Sequence, residues 1–434
     1  MYLTSVRIEN IRNLQSLTWE ISPEKAPGWH VLIGDNGTGK TAFLRATALA
    51  LIGPSEAAAL RQDWNQWLRR GQGRGCVSLV LEDDPAFDVY PESEGLPTGH
   101  SLKAGLDLKR HSGRGAEVTP GVTITPIGRA PERSLWGGQP GWFSASYGPF
   151  RRFSGGTRED EKIFNTNPSL AAHISAFGES VALAEIVDWL QQLRFKELEQ
   201  GPEQEHLGQI TRFVNQNGLL PYQVKLQVVT SSGVVFTDGY GSQVLLEELS
   251  DGYRSILSMT FELIRQMFKA YPGKPIFSED FSQVIVPGVV LIDEVDAHLH
   301  PSWQHQIGLW FREHFPNIQF IVTTHSPFVC QAADVGTVYR LPKPGSKEKA
   351  GMVTGADLDR LLFGNVLDAY STDLFGEGAT RSEEAKKRQL RLAELNMAEL
   401  MRDLKETERA ELESLRSALP TAAHSLPVGA NGAK

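Results

Sequence analysis

"GDNGTGKTAFLR", residues Gly34 to Arg45, sets three glycines and a lysine between an apolar run, "HVLI" (30–33), and a stretch that reads as helix. The spacing Gly34-x4-Gly39-Lys40-Thr41 is the P-loop pattern of strand, glycine-rich turn and helix start. Glycines let backbone N–H groups converge on one point with no side chain between them. A helix beginning near Gly39 adds the positive end of its dipole. Asp35, Asn36, Gly37 and Thr38 complete the loop. Lys40 is long enough to reach the β- and γ-phosphates of a nucleotide, and the Thr41 hydroxyl suits Mg²⁺.

The rest of the chain sets limits around that loop. Its 434 residues suffice for two or three domain-sized units. Apolar residues make up 41% and charged residues 22%, ordinary for a globular protein in water. A net charge of −9 excludes a generic polyanion binder, so any nucleic-acid surface must be a local patch. The two cysteines, Cys76 and Cys330, are far apart and in no metal-ligand spacing, which suits a reducing cytosol. "MYLTSVRIENIRNL" carries charges throughout and has no apolar signal-peptide core. No stretch approaches the ~20 apolar residues of a membrane span. The expectation is a cytoplasmic protein with no membrane partner.

Residues 2–21 alternate polar and apolar and read as a hairpin; 29–33 form a buried strand, followed by a helix from Thr41 to Leu51. Residues 53–75 read as helical and polar, and "CVSLVLE" (76–82) as a strand. From Asp83 to Pro120 the chain turns rich in Pro, Gly and charge, a loose surface insertion. Order resumes at 141–152; 168–217 read as helical and 222–237 as a strand pair. A helix from Gly252 to Tyr271, the strand "GVVLIDE", a helix at 302–314 and the strand "IQFIVTTH" follow. This alternation predicts an α/β core with a helical arm inserted in it. The boundaries expected are an N-terminal lobe (1–145), a helical arm with a strand pair (146–240), a third segment (241–345), and a helical tail with a disordered end (346–434).

Three further stretches carry chemistry. In "VVLIDEVDAHLHP" (289–301), Asp293 and Glu294 end a buried strand, where ligands collect in open α/β sheets. Asp293 is placed to hold Mg²⁺ and Glu294 to polarise an attacking water. In "TTHSP", His325 ends the next strand; a βαβ spacing of about thirty residues sets it beside Asp293 and Glu294. In "EELSDGYRS" (247–255), Ser250 or Asp251 caps an amphipathic helix, and Ser250 with the Gly252 N–H offers a second anion site.

Together, in this order, the four motifs resemble the ABC-type ATPase heads of the SMC and RecF group. They are most similar to the compact bacterial AAA-family ATPases of anti-phage defence, the OLD-like and PtuA-like proteins. The resemblance covers about 1–52 and 142–340. It implies an α/β P-loop NTPase with an ABC-type mixed sheet core, an N-terminal β-hairpin, an inserted helical arm and a helical C-terminal tail. It implies ATP and Mg²⁺ as ligands, Gly34 to Thr41 as the cradle, and Thr41 with Asp293 as metal ligands. Arg12 and Asn13, in "IRNL", match the hairpin that lies beside the adenine. Glu294 would act on water, His325 on the γ-phosphate, and Ser250, Asp251 and Gly252 as a signature working in trans, with Asp296 as a subunit contact.

The function implied is an ATP-hydrolysing, nucleotide-gated dimer that controls a partner effector or nuclease in anti-phage defence or DNA metabolism. Alternatives are a RecF-like repair ATPase and a non-hydrolysing, ATP-bound scaffold. The partners implied are a second copy in a homodimer or higher homo-oligomer, a separate nuclease or effector, and DNA. The chain departs from the family in lacking sustained heptads, a Cys-x-x-Cys hook and a Toprim pattern. A glutamine loop has no clear equivalent; "SASYGPFRR" (144–152), with Tyr147 and Arg151, is the stretch in that position.

Arg61, Arg69, Arg70 and Arg74, with Arg151, Arg152 and Arg158, are the densest basic positions, readable as phosphate contacts or as solvated charge. In the tail (382–419), Leu390, Met397, Met401 and Leu404, then Leu412, Leu415 and Leu419, recur at helical steps. They read either as a hairpin packed on its own head or as a docking surface.

Overall fold

The structure is a computed structural model that describes residues 1–60, 62–90, 101–111, 121–128, 130–149, 168–178, 185–201, 203–220, 222–346, 348–364, 369, 374 and 383–418. Two compact units are present, Met1–Ala369 and Tyr370–Lys434.

In chain order the first unit contains β1 (Tyr2–Ile11), β2 (Leu14–Glu20), β3 (Gly28–Ile33), α1 (Lys40–Ala59), β4 (Arg74–Glu82), β5 (Ser101–His111), β6 (Gly121–Ile127) and β7 (Ser144–Tyr147). Then come α2 (Glu185–Leu198), α3 (His206–Gln216), β8 (Lys225–Thr230), β9 (Gly233–Thr237), β10 (Gln243–Leu245) and α4 (Asp251–Ala270). β11 (Gly288–Ile292), α5 (Pro301–His314), β12 (Ile318–Thr323), β13 (Gly336–Arg340), β14 (Gly351–Met352) and α6 (Gly355–Phe363) complete it.

The central sheet runs β14-β13-β3-β12-β11-β7. β13, β3, β12, β11 and β7 are parallel, and β14 is an antiparallel edge. Every residue of β3, β11 and β12 is buried, which is why these strands read as mainly apolar runs rather than as an alternation, with His30, Gln319 and Thr323 buried among the apolar residues. A second sheet, β2-β1-β4-β5-β6, is antiparallel throughout. α1 belongs to the core between the sheets: Phe43 and Leu49 share one apolar cluster with Val6, Ile8 and Leu106 on one side and Leu291 and Ile321 on the other. A third sheet, β10-β9-β8, accompanies α2 and α3. The α/β class, the N-terminal hairpin and the helical arm thus stand as expected.

Two local expectations are corrected. Residues 53–75 are not one helix. α1 kinks at Gly53 (φ 82°) and Pro54 and stops at Ala59; a 3₁₀ turn (Trp64–Gln66) follows, and β4 already begins at Arg74. Proline cannot donate its helical hydrogen bond, and a Cβ on Gly53 would sit 2.7 Å from the Trp136 ring. The supposed loose insertion contains β5, which pairs with β4 from Arg74–Lys109 to Glu82–Ser101. Its run "SLKAGLDLKRH" buries Leu102, Ala104, Leu106 and Leu108, and the interleaved charges hid that alternation. Among the described residues no helix is long and apolar enough to cross a membrane.

The second unit is a hairpin of α7 (Glu383–Met401) and α8 (Glu406–Ala418). Leu392, Leu395, Leu404 and Leu412 form its core. Arg391–Glu411 (3.0 Å) and Arg416–Glu399 (2.7 Å) pair across it. The expected stripe is shifted: Leu390, Met397 and Met401 are exposed, because Leu392 and Leu395 face α8 instead. Leu419 and the end expected to be disordered lie outside the described residues.

Candidate functional site

Parallel pairing brings several chain turns to one end of the central sheet. Leu32 pairs with Thr323, Ile292 with Val322, and Ile292 with Tyr147. The segments leaving these strands are therefore neighbours: Gly34–Gly39 after β3, Asp293 after β11 and Thr324–His325 after β12. This is the ligand-collecting edge of an open parallel sheet.

The loop is shaped from both flanks. Gly37 (φ 79°) and Gly39 (φ 106°) adopt conformations that L side chains rarely take. A Cβ on Gly39 would meet Leu14 Cδ2 at 2.5 Å, so the β1–β2 turn packs directly on the loop. From the same turn Asn13 Nδ2 donates to the Gly37 carbonyl at 2.6 Å. Thr38 Oγ1 donates to the Asp35 carbonyl at 2.9 Å, and Asp35 pairs with Lys343 at 3.4 Å. Lys40 is buried, and its Nζ donates to the Gly34 carbonyl at 2.7 Å and the Asp35 carbonyl at 3.1 Å. Burial lowers the Lys40 pKa, against the raising fields of Asp293, Glu294, Asp35 and Asp296. Those four carboxylates therefore converge on one ammonium.

The acidic turn is braced by β12. Asp293 is buried, and its Oδ1 accepts the Thr323 hydroxyl at 2.6 Å. The Glu294 N–H donates to the same Thr323 oxygen at 2.8 Å, and the Val295 N–H to the Thr323 carbonyl at 3.0 Å. Glu294 has φ 47°, a left-handed conformation that costs a non-glycine residue of order 1 kcal/mol and is held by these bonds. Asp296 Oδ1 accepts from Thr324 Oγ1 at 2.5 Å. His325 is exposed; partial desolvation, then the charge of Lys40, lowers its pKa below 6.5, while Asp296, Glu294 and Asp35 act the other way. Thr41, at the start of α1, and Asp293 supply the hard oxygen donors that Mg²⁺ takes.

Ser250 is the N-cap of α4, with extended backbone and no capping bond from its own side chain. Asp251 forms an ion pair with Arg254. Gly252 lies close to the loop after the acidic turn: a Cβ there would be 3.2 Å from the His298 carbonyl. Ser250, Asp251 and Gly252 line a groove of about 440 Å³ with His298, His300 and Trp303. These three residues face the start of α5, while Lys40, Asp293, Glu294, Asp296 and His325 follow adjoining strand ends, near enough that the carboxylates act on the Lys40 charge and Lys40 on His325.

Some of the architecture was not anticipated. Thr323, which holds the acidic turn, was passed over within "VTTH", although a hydroxyl at a strand end beside an acid is the available signal. Behind β11, the Tyr147 carbonyl accepts the Asp293 N–H at 2.8 Å. Its hydroxyl is buried without a hydrogen bond, and burial, then Glu262, pushes its pKa well up. Glu262 and Arg265 form a buried pair at 2.7 Å on α4, with Gln266 Nε2 donating to Glu262 at 2.6 Å. Arg151 lies outside the described residues.

The AAA_21 family model, described as "AAA domain, putative AbiEii toxin, Type IV TA system", matches residues 161–331. "Septu protein PtuA" of Bacillus mycoides is 22% identical over 86% of this chain and 45% of its own length. "Retron Ec83 probable ATPase" of Escherichia coli is 34% identical over 38% of this chain and 31% of its own. The chain thus spans less than half the length of these relatives. Among solved structures, "SMC head domain from Thermotoga maritima" covers 82% of this chain and 99% of its own, at 14% identity and a TM-score of 0.40. The sequence relatives and the ordered motifs agree: the chain is similar to the Septu and retron ATPases, and its motifs resemble those of SMC/RecF-type heads.

Proposed function

We propose that the chain binds ATP with Mg²⁺ and hydrolyses it to ADP and phosphate, in a dimer whose closing and opening control a partner effector such as a nuclease, in anti-phage defence within the cytoplasm. The observation that carries this reading is the convergence of Asp293, Glu294 and Asp296 on Lys40, with His325 in the same field, at adjacent strand ends.

Gly34 to Gly39 and the start of α1 offer N–H groups to the phosphates, and Lys40 supplies a positive charge against the β- and γ-phosphates. Arg12 and Asn13 flank the nucleotide from the β1–β2 turn. Thr41 and Asp293 hold Mg²⁺, which when bound neutralises charge developing on the phosphates. Glu294 accepts the proton of a water that attacks the γ-phosphorus as the bond to ADP breaks. His325 steadies the γ-phosphate. Ser250, Asp251 and Gly252 meet the γ-phosphate held by the second copy, and Asp296 helps join the copies. The left-handed Glu294, fixed by Thr323, favours hydrolysis over a purely structural use of ATP, because strain of this kind gathers at reacting groups.

The test is steady-state phosphate release beside nucleotide binding. Lys40→Ala should abolish binding. Glu294→Gln should keep binding, lower turnover by about 10²–10⁴-fold, and trap a nucleotide-bound dimer. Wild-type turnover in both variants sinks the proposal.

A further inference from the structure

α1 breaks where a cavity opens. Pro54 has no N–H to give the Ala50 carbonyl one turn back. The Trp136 indole supplies the missing donor, with Nε1 at 3.1 Å from that carbonyl. Gly53 (φ 82°) lets the indole lie on the helix, since a Cβ there would stand 2.7 Å from the ring. Trp142 is fixed as firmly. Its backbone is left-handed (φ 51°), its N–H donates to Asp88 Oδ1 at 2.7 Å, and its Nε1 donates to the Val89 carbonyl at 2.9 Å. Strain of this kind in a non-glycine residue collects at sites of function.

Trp136, Trp142 and Phe143 wall a cavity of about 560 Å³ that Ser144, His173 and Gln266 also line. It is remote from the phosphate loop. On α1 it begins at Leu51, eleven residues past Lys40, or roughly 16 Å along the helix. On β7 it meets Ser144 at the start of the strand, while Tyr147 at the other end accepts the Asp293 N–H.

The charges along this cavity are already engaged. Glu56 and Lys269, opposite in sign, both have partners, and Glu56 Oε2 accepts the Leu170 N–H at 2.7 Å. His173 is neutral: burial holds its pKa at about 3, and its two ring nitrogens bond the Ser144 and Ser146 hydroxyls at 3.0 Å. What stays open is an acceptor. Gln266 is 4% exposed, and its Nε2 donates to Glu262 Oε1 at 2.6 Å, which fixes the amide. Its Oε1 receives no hydrogen bond among the described residues and is not sealed within the core. An acceptor so placed calls for a donor. Flat aromatic walls, balanced charge and an open acceptor suit a planar, uncharged ring that carries N–H groups. A hydrocarbon would leave Gln266 unpaired, and an anion would meet an oxygen there instead of a donor.

We propose that this cavity binds an uncharged planar nitrogen heterocycle of nucleobase size, as a free base or as its nucleoside. The site stands apart from ATP hydrolysis, and its occupancy is read directly. The probes are adenine, hypoxanthine, cytosine and thymine, their nucleosides and their nucleoside 5′-monophosphates, titrated into the full chain by calorimetry. At least one base or nucleoside should bind with a Kd below about 1 mM, and its monophosphate should bind no more tightly. Gln266→Met keeps the bulk and removes the acceptor, and should weaken binding at least about threefold. Ala270→Phe fills the cavity from the end of α4 and should abolish binding. Unchanged thermal melting excludes misfolding; should Ala270→Phe melt early, Gln266→Met decides alone. Three results would overturn the proposal: no binding of any base or nucleoside, equal binding by the Gln266→Met chain, or tighter binding of the monophosphate. The last would assign the cavity to an anion.

Discussion

Thr323 clamps Asp293: its hydroxyl donates to Oδ1 at 2.6 Å while its oxygen accepts the Glu294 N–H at 2.8 Å. One side chain of β12 thereby sets both carboxylates that end β11. Thr323→Val keeps the shape and removes both bonds, at about 1–3 kcal/mol. Turnover should fall roughly tenfold or more, the Mg²⁺ midpoint should rise, and Thr323→Ser should restore both. An unchanged Mg²⁺ midpoint in the valine variant would separate Thr323 from the chemistry.

Ser250→Arg puts bulk and positive charge at the start of α4, in the groove shared with His298 and Trp303. ATP binding should persist and hydrolysis should stop. Mixing these subunits with Lys40→Ala subunits should restore at most one working site per mixed dimer, as two-fold exchange of half-sites requires. Full activity in a chain shown by light scattering to be monomeric with ATP bound would exclude sites completed in trans.

His325 gives a readout independent of turnover. Its pKa lies below 6.5 through desolvation first and the charge of Lys40 second. In an NMR titration its ring should remain neutral at pH 7. Lys40→Met should move the midpoint up and Asp296→Asn should move it down. A midpoint indifferent to Lys40 would mean that the two groups do not share a site.

Two buried histidines predict acid sensitivity of the fold. His30, bonded to Thr337 and the Ala26 carbonyl, is pushed down to about 4 by burial; His173, bonded to Ser144 and Ser146, is pushed to about 3. Both folded-state values lie below the unfolded value, so the unfolded chain binds protons first, and stability falls as pH drops below about 6.5. Between pH 7.5 and 5.5 each contributes a loss of about 1.4 kcal/mol. Urea denaturation should show about 3 kcal/mol from the pair, with His173→Asn less stable but about half as pH-dependent. A flat profile over that range would contradict neutral burial.

Much of the site was legible because its parts are local. The loop at Gly34–Thr41, the acids after "VVLI" and the cap at Ser250 each need only a few adjacent residues and the end of one element. What escaped depends on partners far along the chain. Asn13 bonding Gly37 and Thr323 bonding Asp293 are set by sheet register, which no single segment displays. β5 escaped because its buried leucines alternate with lysine, aspartate and a glycine that carries no side chain. In α7 the helical period was right and the buried face wrong, since charged residues flank both apolar stripes and only the position of α8 decides between them.

The pairing of β3 with β12 also orders events during synthesis. The Leu3 N–H donates to Gln319 Oε1 across 316 positions, and Leu32 pairs with Thr323 over a similar span. A ribosome adding about 5–20 residues per second needs roughly 15–60 s to travel that far. β1, β2 and β4 can pair meanwhile, since their contacts are short in sequence. The phosphate loop leaves the ribosome first, and its acids and the threonine that sets them follow more than 250 residues later. A nascent chain can therefore expose the loop long before it can hydrolyse anything, and translation halted before Thr323 should yield a chain with its two antiparallel sheets and no working switch.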